Sequence, residues 1–269
     1  MQIRGLDVVG KVAVVIGGTS GIGRALALGL AEAGADVVAT SRRIDQVNDT
    51  TARLKEIGRR SLAITCDVSD RESLEHLLRE VAGQLGNVDI LVNCAGKTRR
   101  GPTLDFDEAV WQDILDTNLT GTLRCCQVFG RHMIANGRGK IINIASLSSF
   151  VALQEVAAYA ASKAAVASLT KSLAIEWARH GVCVNAIAPG VFRTALNSEL
   201  LDNTPRGKEF LMRTPMGRFG NVEELVGAAI YLACDASSFV TGAILAVDGG
   251  FLASGDLTGG SSVPALRRL

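Results

Sequence analysis

The sequence lacks the features that mark membrane and nucleic-acid-binding proteins. No stretch of about 18 or more uncharged apolar residues occurs, so we expect no transmembrane helix. The N-terminal apolar run is short, lies among charges at Arg4, Asp7 and Lys11, and has no small-residue cleavage site, so we expect no signal peptide. The formal net charge is +1, which leaves no electrostatic footprint for nucleic acid or an anionic membrane. These absences favour a cytoplasmic protein.

The cysteines do not form a metal-binding pattern. None of the six lies in a Cys-x-x-Cys pair, and no histidine stands at zinc-ligand spacing, so we expect no metal site. Several lie in apolar, strand-like runs, which indicates buried free thiols in a reducing compartment. They are Cys66, Cys94, Cys125, Cys126, Cys183 and Cys234.

Short apolar runs alternate with helical patterns along the chain. The predicted strands cover 12–17, 36–40, 61–65, 89–93, 140–145, 182–188 and 243–247, and the longest predicted helices cover 107–135 and 156–179. Near-continuous apolar strands separated by helices are typical of a parallel sheet covered on both faces. We therefore predict a single-domain α/β protein over 1–269, a doubly wound Rossmann fold with a seven-stranded parallel sheet.

Two segments break this rhythm. Residues 190–220 have mixed character, and we expect them to form a lid over a substrate pocket. The tail 254–269 is rich in Gly and Ser, and we expect it to be mobile or to pack on a neighbouring subunit.

A glycine-rich segment joins the first predicted strand to the first helix. Gly17 and Gly21 allow a tight turn that a dinucleotide pyrophosphate can approach, at a helix N-terminus, and Gly23 allows close packing of that helix. Such a fingerprint is weak alone, but here a strand precedes it and a helix follows it. We predict a dinucleotide site rather than a plain glycine turn.

The end of the second strand indicates which dinucleotide binds. A fold that prefers NAD usually has Asp or Glu there, but this chain has Ser41 followed by Arg42 and Arg43. A guanidinium pairs well with a 2′-phosphate. We predict NADP(H) as the cofactor; the alternative is that both arginines simply begin a solvated helix.

Tyr159, Lys163 and Ser146 form a candidate catalytic set. Tyr159 and Lys163 are four residues apart on a predicted helix and so share one face. With only two tyrosines and seven lysines in the chain, this spacing rarely arises by chance. Ser146 follows the fifth predicted strand, at the edge where doubly wound folds bind ligands.

With these residues the chain resembles the short-chain dehydrogenase/reductase family over nearly its whole length. Ile16 stands where the family commonly has Thr, and Cys94 where it frequently has Asn, both mild departures. The matching elements, in the family's order, are GGTSGIG at 17–23, Cys66-Asp67-Val68, Asn93-Cys94-Ala95-Gly96, Asn118, Ser146, Tyr159-x-x-x-Lys163, and Pro189-Gly190 with Thr194.

The resemblance implies a role for each matching residue. Tyr159 would transfer the proton, Ser146 would orient the substrate oxygen, and Asn118 would hold a water near Lys163. Asp67 and Val68 would meet the adenine, Asn93 and Ala95 the ribose side of the cofactor, and Thr194 its carboxamide. The full expected cofactor set is Gly17, Thr19, Ser20, Gly21, Ile22, Gly23, Ser41, Arg42, Arg43, Asp67, Val68, Asn93, Ala95, Gly96, Tyr159, Lys163, Pro189, Gly190 and Thr194.

Electrostatics supports the pairing of Tyr159 with Lys163. A free phenol has a pKa of about 10, too high for a base at neutral pH. An ammonium about 4 Å away is worth roughly 4 kcal/mol at an effective dielectric near 20. That energy corresponds to about 3 pKa units. We therefore expect Lys163 to lower the pKa of Tyr159 toward neutrality.

The substrate is less defined by the sequence. The segments NCAGKTRR and RTPMGRFG are most similar to those of the gluconate 5-dehydrogenase and deoxygluconate dehydrogenase branch of the family. This resemblance implies NADP-dependent interconversion of a secondary alcohol and a ketone on a sugar acid or related polyol. Alternatives are a 3-oxoacyl-[acyl-carrier-protein] reductase and, in another class, a non-catalytic NADP(H)-binding regulator. The cations that either bind a substrate carboxylate or lie on the surface are Arg99, Arg100, Arg193, Arg206, Lys208, Arg213 and Arg218.

The two longest predicted helices carry more apolar surface than one sheet face needs. The family resemblance pairs these helices across a two-fold axis. We therefore expect a homotetramer; the alternative is that both helices pack the core of a monomer.

Overall fold

The computed structural model describes residues 6–194 and 198–255, and within them six parallel strands form one sheet. The strands are β1 (Val12–Ile16), β2 (Asp36–Thr40), β3 (Ile90–Asn93), β4 (Gly139–Ile144), β5 (Val182–Pro189) and β6 (Ile244–Val247), in the order β2-β1-β3-β4-β5-β6. The order runs one way from β1 to β2 and the other way from β3 onward. This reversal opens a crevice beside the carboxyl ends of β1 and β3, where doubly wound folds bind ligands.

Helices cover both faces of the sheet, so β1 is buried on both sides. Ala13 and Val15 pack into one apolar cluster, and Val12 and Val14 pack into the other. The helices are α1 (Gly21–Glu32), α2 (Ile44–Glu56), α3 (Arg71–Gln84), α4 (Glu108–Leu115), α5 (Gly121–Ala135), α6 (Ala157–Trp177), α7 (Ser198–Leu201), α8 (Pro205–Arg213) and α9 (Val226–Ala233). The first cluster contains side chains of α1 and α9, and the second those of α3, α5 and α6.

The prediction of an α/β Rossmann fold with a parallel sheet is confirmed, but the prediction of seven strands is wrong. The run 61–65 lies beside β2 without forming a regular ladder. Its flanks bond to β2, from Val37 N to the Arg60 oxygen and from Cys66 N to the Ser41 oxygen. Between these bonds the Thr40 hydroxyl, rather than a backbone amide, donates to the Ile64 oxygen. The apolar pattern therefore predicts the extended path correctly but not the hydrogen bonding that defines a strand.

The helix predicted over 107–135 is interrupted. A π-helical turn, Asp116–Thr120, separates α4 from α5 and contains Asn118. Such turns insert an extra residue into the helix and occur often at functional sites. The helix predicted over 156–179 is confirmed as α6, followed by a short 3-10 turn at Ala178–His180.

The segment predicted as a lid contains α7 and α8, whose apolar side chains join a small separate cluster. Leu201 and Phe210 pack there with Leu147 and Phe251. Of the expected lid, 195–197 lie outside the described residues, as do 256–269 of the expected tail. Within the described residues, no helix has both the length and the apolar character needed to cross a membrane.

Candidate active site

The glycine-rich turn after β1 needs residues without side chains. Gly17 and Gly21 have φ angles of +76° and +48°, in the left-handed region that glycine tolerates. A Cβ on Gly17 would lie 2.6 Å from Ala95 N, so this glycine lets the turn approach the loop after β3. A Cβ on Gly23 would lie 2.1 Å from the Gly17 oxygen, so α1 packs against the turn itself rather than against the strand.

The N-terminus of α1 is left open. Ser20 is the N-cap residue, but its side chain makes no capping hydrogen bond, and the first turn, which includes Ile22, has no acidic residue. The neighbouring Thr19 hydroxyl instead donates to Ser41 Oγ over 2.8 Å. The unpaired amides and the helix dipole therefore favour an anion at this point, as a dinucleotide pyrophosphate requires.

The residues after β2 keep two cations in solvent. Arg42 and Arg43 are both exposed, and neither guanidinium has an ion pair within the described part of the chain. Ser41 lies between them and the glycine-rich turn and is held by Thr19. The arrangement leaves Arg42 free to meet a 2′-phosphate.

Asp67 and Val68 lie across the crevice from these arginines. Partial burial raises the pKa of Asp67, but hydrogen bonds from the Ser69 amide and hydroxyl, together with Arg42 and Lys97, outweigh it and lower the pKa overall. Asp67 is therefore an anion at neutral pH and can accept hydrogen bonds. Val68 packs closely against the start of α5. A Cβ on Gly121 would lie only 2.7 Å from the Val68 side chain.

The predicted residues of the loop after β3 divide into two groups. The Asn93 side chain is buried and donates to Asn143 Oδ1 over 2.9 Å, so only its backbone faces the crevice side of the strand end. Ala95 and Gly96 are more open. A Cβ on Gly96 would lie 3.7 Å from Lys163 Nζ, which brings this loop beside the candidate catalytic lysine.

The end of β5 approaches the same turn. Pro189 is buried at the last position of β5, and the Gly190 amide donates to the Val247 oxygen over 2.9 Å. Thr194 lies above the turn, since its methyl group is 3.7 Å from where a Cβ on Gly21 would be. Predicted cofactor residues from the ends of β1, β3 and β5 therefore meet at one edge of the sheet.

Ser146 is held rigidly just after β4. It caps a 3-10 turn, Leu147–Ser149, in which Ser146 Oγ accepts hydrogen bonds from both the amide and the hydroxyl of Ser148. The Ser149 hydroxyl bonds the Lys163 oxygen and thereby ties this turn to α6. Because two donors occupy the lone pairs of Ser146 Oγ, its own proton is available to a further acceptor.

Tyr159 and Lys163 lie on one face of α6, as predicted, but they are not paired as expected. Lys163 is buried, its Nζ is 5.8 Å from the centre of the Tyr159 ring, and it donates to the Ile144 oxygen over 2.6 Å. Burial lowers the pKa of Lys163 to about 8. Burial also raises the pKa of Tyr159, and the hydrogen bond with Ser146 opposes that rise. The expected lowering of the Tyr159 pKa by Lys163 is therefore wrong in this arrangement.

Asn118 lies in the π-helical turn and is fully buried. Its side chain accepts from the Lys97 amide over 2.8 Å and donates to the Lys97 oxygen and to Ser162 Oγ. The Ser162 hydroxyl in turn donates to the backbone carbonyl oxygen of Tyr159. Asn118 thus joins the loop after β3 to the helix that carries Tyr159.

Sequence reasoning did not single out Lys97 or Ser162, and it treated Cys94 only as a mild departure. Lys97 bonds Asn118 through its backbone, so its residue type gives no signal for that contact. Ser162 immediately precedes Lys163, and its place within the Tyr-x-x-x-Lys motif is the only feature of the sequence that suggests a role in the site. Cys94 lies near Tyr159 and Lys163; burial raises its pKa to about 11, so it remains a thiol at neutral pH.

Most of the lid arginines have acidic partners. Arg193 pairs with Asp202, Arg213 with Glu209, and Arg218 makes two bonds to Glu224. These surface ion pairs account for the three arginines without a role in substrate binding. Arg100 pairs with Glu155, and Arg99 and Lys208 are exposed. Arg206 is half-buried on α8 and, within the part of the chain that the structure describes, its hydrogen bonds go only to the Gln154 backbone oxygen.

Comparison with known proteins identifies relatives that cover nearly the whole chain. A 2-dehydro-3-deoxy-D-gluconate 5-dehydrogenase of Dickeya dadantii is 42% identical over 254 residues, covering 94% of this chain and 100% of that protein. A crystal structure of a gluconate 5-dehydrogenase from Burkholderia cenocepacia, in complex with NADP and tartrate, has a TM-score of 0.89 at 41% identity and covers 93% of this chain and 98% of that one.

Two further matches define the family. A short-chain type dehydrogenase/reductase from Mycobacterium marinum has a TM-score of 0.86 at 37% identity, over 93% of this chain and 98% of that one. The family model described as enoyl-(acyl carrier protein) reductase matches residues 17–252. With the open helix N-terminus, the glycine-rich turn and the Ser146, Tyr159 and Lys163 set at one sheet edge, this chain belongs to the short-chain dehydrogenase/reductase family.

Proposed function

We propose that this chain is an NADP(H)-dependent oxidoreductase that interconverts a secondary alcohol and a ketone on a sugar acid. The observation that carries the proposal is the convergence of Ser146, Tyr159 and Lys163 beside an uncapped helix N-terminus. The exposed guanidinium of Arg42, without an ion pair in the described residues, fits the 2′-phosphate of NADP(H). When bound, the nicotinamide supplies or accepts the hydride.

The chain's own residues orient the substrate and move the proton. Ser146, with its oxygen fixed by two donors from Ser148, directs its proton to the substrate oxygen. Tyr159 donates its phenolic proton to that oxygen during reduction, since burial raises its pKa and keeps the phenol protonated at neutral pH.

Lys163 and Asn118 support the proton transfer. Lys163 has a pKa of about 8, so near neutral pH it can both hold and release a proton. The π-helical turn brings Asn118 beside the same loop, and we propose that it holds a water that returns a proton toward Lys163. Gly96 lies beside both side chains, because a Cβ there would be 3.4 Å from Asn118 Oδ1 and 3.7 Å from Lys163 Nζ.

The sugar-acid substrate rests on the relatives together with the basic rim. The Dickeya dadantii relative is a dehydrogenase of a deoxygluconate, and the Burkholderia cenocepacia structure is a gluconate 5-dehydrogenase. The rim between α8 and the loops before α6 and after β3 carries Arg100 and Arg206. An acidic substrate is therefore favoured over a neutral one.

A panel of NADPH-dependent reductions tests this function against its alternatives. We expect turnover of 5-keto-D-gluconate or a deoxy analogue to exceed that of an acetoacetyl thioester and of a bulky steroid ketone. Preference for the thioester would instead support a 3-oxoacyl-[acyl-carrier-protein] reductase. NADPH binding without turnover of any ketone would indicate a non-catalytic regulator.

We also propose that the protein is a cytoplasmic homotetramer. Ile175 on α6 is 82% exposed, and Phe239 before β6 and Leu245 in β6 are exposed as well, so apolar side chains are available for contact with other subunits. The six free cysteines fit a reducing compartment.

A further inference from the structure

Arg206 differs from the other lid arginines in how little it is bonded. Among the described residues, its Nη1 and Nη2 both reach only the backbone oxygen of Gln154, each over 3.4 Å, and its buried Nε has no partner. The guanidinium is held over the Phe210 ring at 5.3 Å, so its plane is fixed although its hydrogen bonds are weak. Five donors in a fixed geometry with one distant acceptor leave room for an anion.

The charges around Arg206 do not balance. Partial burial and then the nearby charge of Arg100 lower the pKa of Arg206, and Glu155 and Glu209 oppose that lowering only in part. Glu155 is already paired with Arg100, and Glu209 with Arg213. Two guanidiniums therefore share the single carboxylate of Glu155, which leaves one positive charge for a further anion.

The local backbone adds to this positive potential. Arg206 lies in the first turn of α8, which has no acidic residue. A cation at the positive end of a helix dipole is electrostatically unfavourable. Arg206 therefore does not contribute to the stability of α8 through its charge, and a ligand gives a physical reason for a cation at this position.

The cluster adjoins the proposed active site. Gln154 and Glu155 directly precede α6, whose first turn carries Tyr159. The backbone carbonyl oxygen of Glu155 accepts a hydrogen bond from the Gly101 amide, which ties this turn to the loop after β3. Glu155 has a φ of +64°, in the left-handed region that a residue with a side chain adopts at a cost in backbone energy, and its carboxylate pairs with Arg100.

We propose that Arg206, together with Arg100, forms the subsite that binds the carboxylate of the substrate, with Glu155 as the resident counter-ion. The inference rests on the proposed function as a sugar-acid oxidoreductase. A substrate carboxylate bonds the free edge of the Arg206 guanidinium and orients the carbon chain so that its ketone faces Ser146 and Tyr159. Glu155 keeps Arg100 in position, and its negative charge lowers the affinity of the subsite for an anion.

The first test measures kcat/KM with NADPH for 5-keto-D-gluconate and for L-sorbose, in which a hydroxymethyl group replaces the carboxylate. We expect Arg206→Gln to reduce kcat/KM for the acid at least tenfold, mainly through KM, because a hydrogen bond to a charged group is lost. The value for L-sorbose and the Kd of NADPH should not change. Lys208→Gln, which removes an exposed charge from the same helix, is the matched control and should leave both substrates unaffected.

Glu155→Gln separates a binding role from a purely structural one. If the carboxylate is a counter-ion to the subsite, its removal should lower KM for the acid and leave KM for L-sorbose unchanged. If the ion pair only holds the loop, the substitution should impair both substrates equally, and that result would overturn the proposal. An unchanged KM for the acid in Arg206→Gln would overturn it as well.

Tartrate, a dicarboxylate, tests the subsite independently of the substrate. Should the enzyme reduce no sugar acid, the proposed function fails, and inhibition by tartrate is then measured against whichever ketone is reduced. Competitive inhibition that weakens at least tenfold in Arg206→Gln, but not in Lys208→Gln, supports an anion subsite. Absence of inhibition in the wild type, or equal inhibition of both variants, refutes the subsite.

Discussion

We expect cofactor selection to depend on three consecutive residues after β2, Ser41, Arg42 and Arg43. Ser41 Oγ is 2.8 Å from Thr19 Oγ1, so a side chain at position 41 lies directly beside the glycine-rich turn. Arg42 is exposed and has no ion pair in the part of the chain that the structure describes. We expect Ser41→Asp combined with Arg42→Ala to reverse the preference from NADPH to NADH, since the new carboxylate binds ribose hydroxyls and repels a 2′-phosphate.

The size of the effect follows from the exposure of Arg42. A hydrogen bond to a charged group contributes about 1.5–3 kcal/mol. That range corresponds to roughly 10- to 150-fold in affinity. Because an ion pair exposed to water gains little Coulomb energy, we expect Arg42→Ala alone to fall near the lower end. Arg43 is equally exposed and shares part of the effect.

The assay is kcat/KM for NADPH and NADH in wild type, Arg42→Ala and the double variant. Arg53→Ala is a suitable control, because Arg53 is an exposed arginine near the other end of α2 and is paired with Glu56. It should leave the ratio of the two cofactors unchanged. Equal use of NADH and NADPH by the wild type would mean that both arginines point only to solvent, and the selectivity argument would then be wrong.

Three further predictions concern the proton donor, the buried lysine and the assembly. Tyr159→Phe should lose about 10²- to 10⁴-fold in turnover while NADPH still binds, and activity above a tenth of wild type would contradict the proton role. Lys163 has a folded pKa of about 8 against an ordinary 10.5, so its charge destabilises the fold at and below pH 8, and this penalty disappears as the pH rises toward 10.5. Compared with Lys163→Met in urea unfolding, the wild type should gain up to ~3 kcal/mol between those pH values, and a constant difference would argue against a desolvated ammonium. Light scattering should give a tetramer mass that decreases in Ile175→Lys, and a monomeric wild type at micromolar concentration would refute the assembly.

The fold could be predicted where burial on both faces dictated the residue types. β1 is a continuous apolar run, and β5 is one except at Asn185, because helices cover both sides of the sheet. The same signal failed at 61–65, since Leu62 and Ile64 pack against the core from an extended segment whose amides do not continue the ladder. Apolar alternation reports burial, whereas a strand is defined by backbone pairing, which depends on the neighbouring chain.

The candidate site could be predicted as a set of residues but not as a network. The spacing of Tyr159 and Lys163 on one helix face follows from helical geometry alone. The π-helical turn at Asn118 has no signature in the residues themselves, and the Asn118 side chain bonds mainly to the Lys97 backbone. Likewise, sequence could not distinguish Arg206 from the other lid arginines, because ion pairing depends on which acids the fold brings near each one.

The pKa values at the site favour ketone reduction over alcohol oxidation at neutral pH. Burial raises the pKa of Tyr159, so the phenol is already in the form that donates a proton. Oxidation starts from the phenolate, while Lys163 Nζ lies 5.8 Å from the ring centre and donates to the Ile144 oxygen. Reduction ends with the same phenolate, so the two directions differ in which protonation state of Tyr159 must be present at the start of the step. The oxidation rate should accordingly rise with pH more steeply than the reduction rate falls.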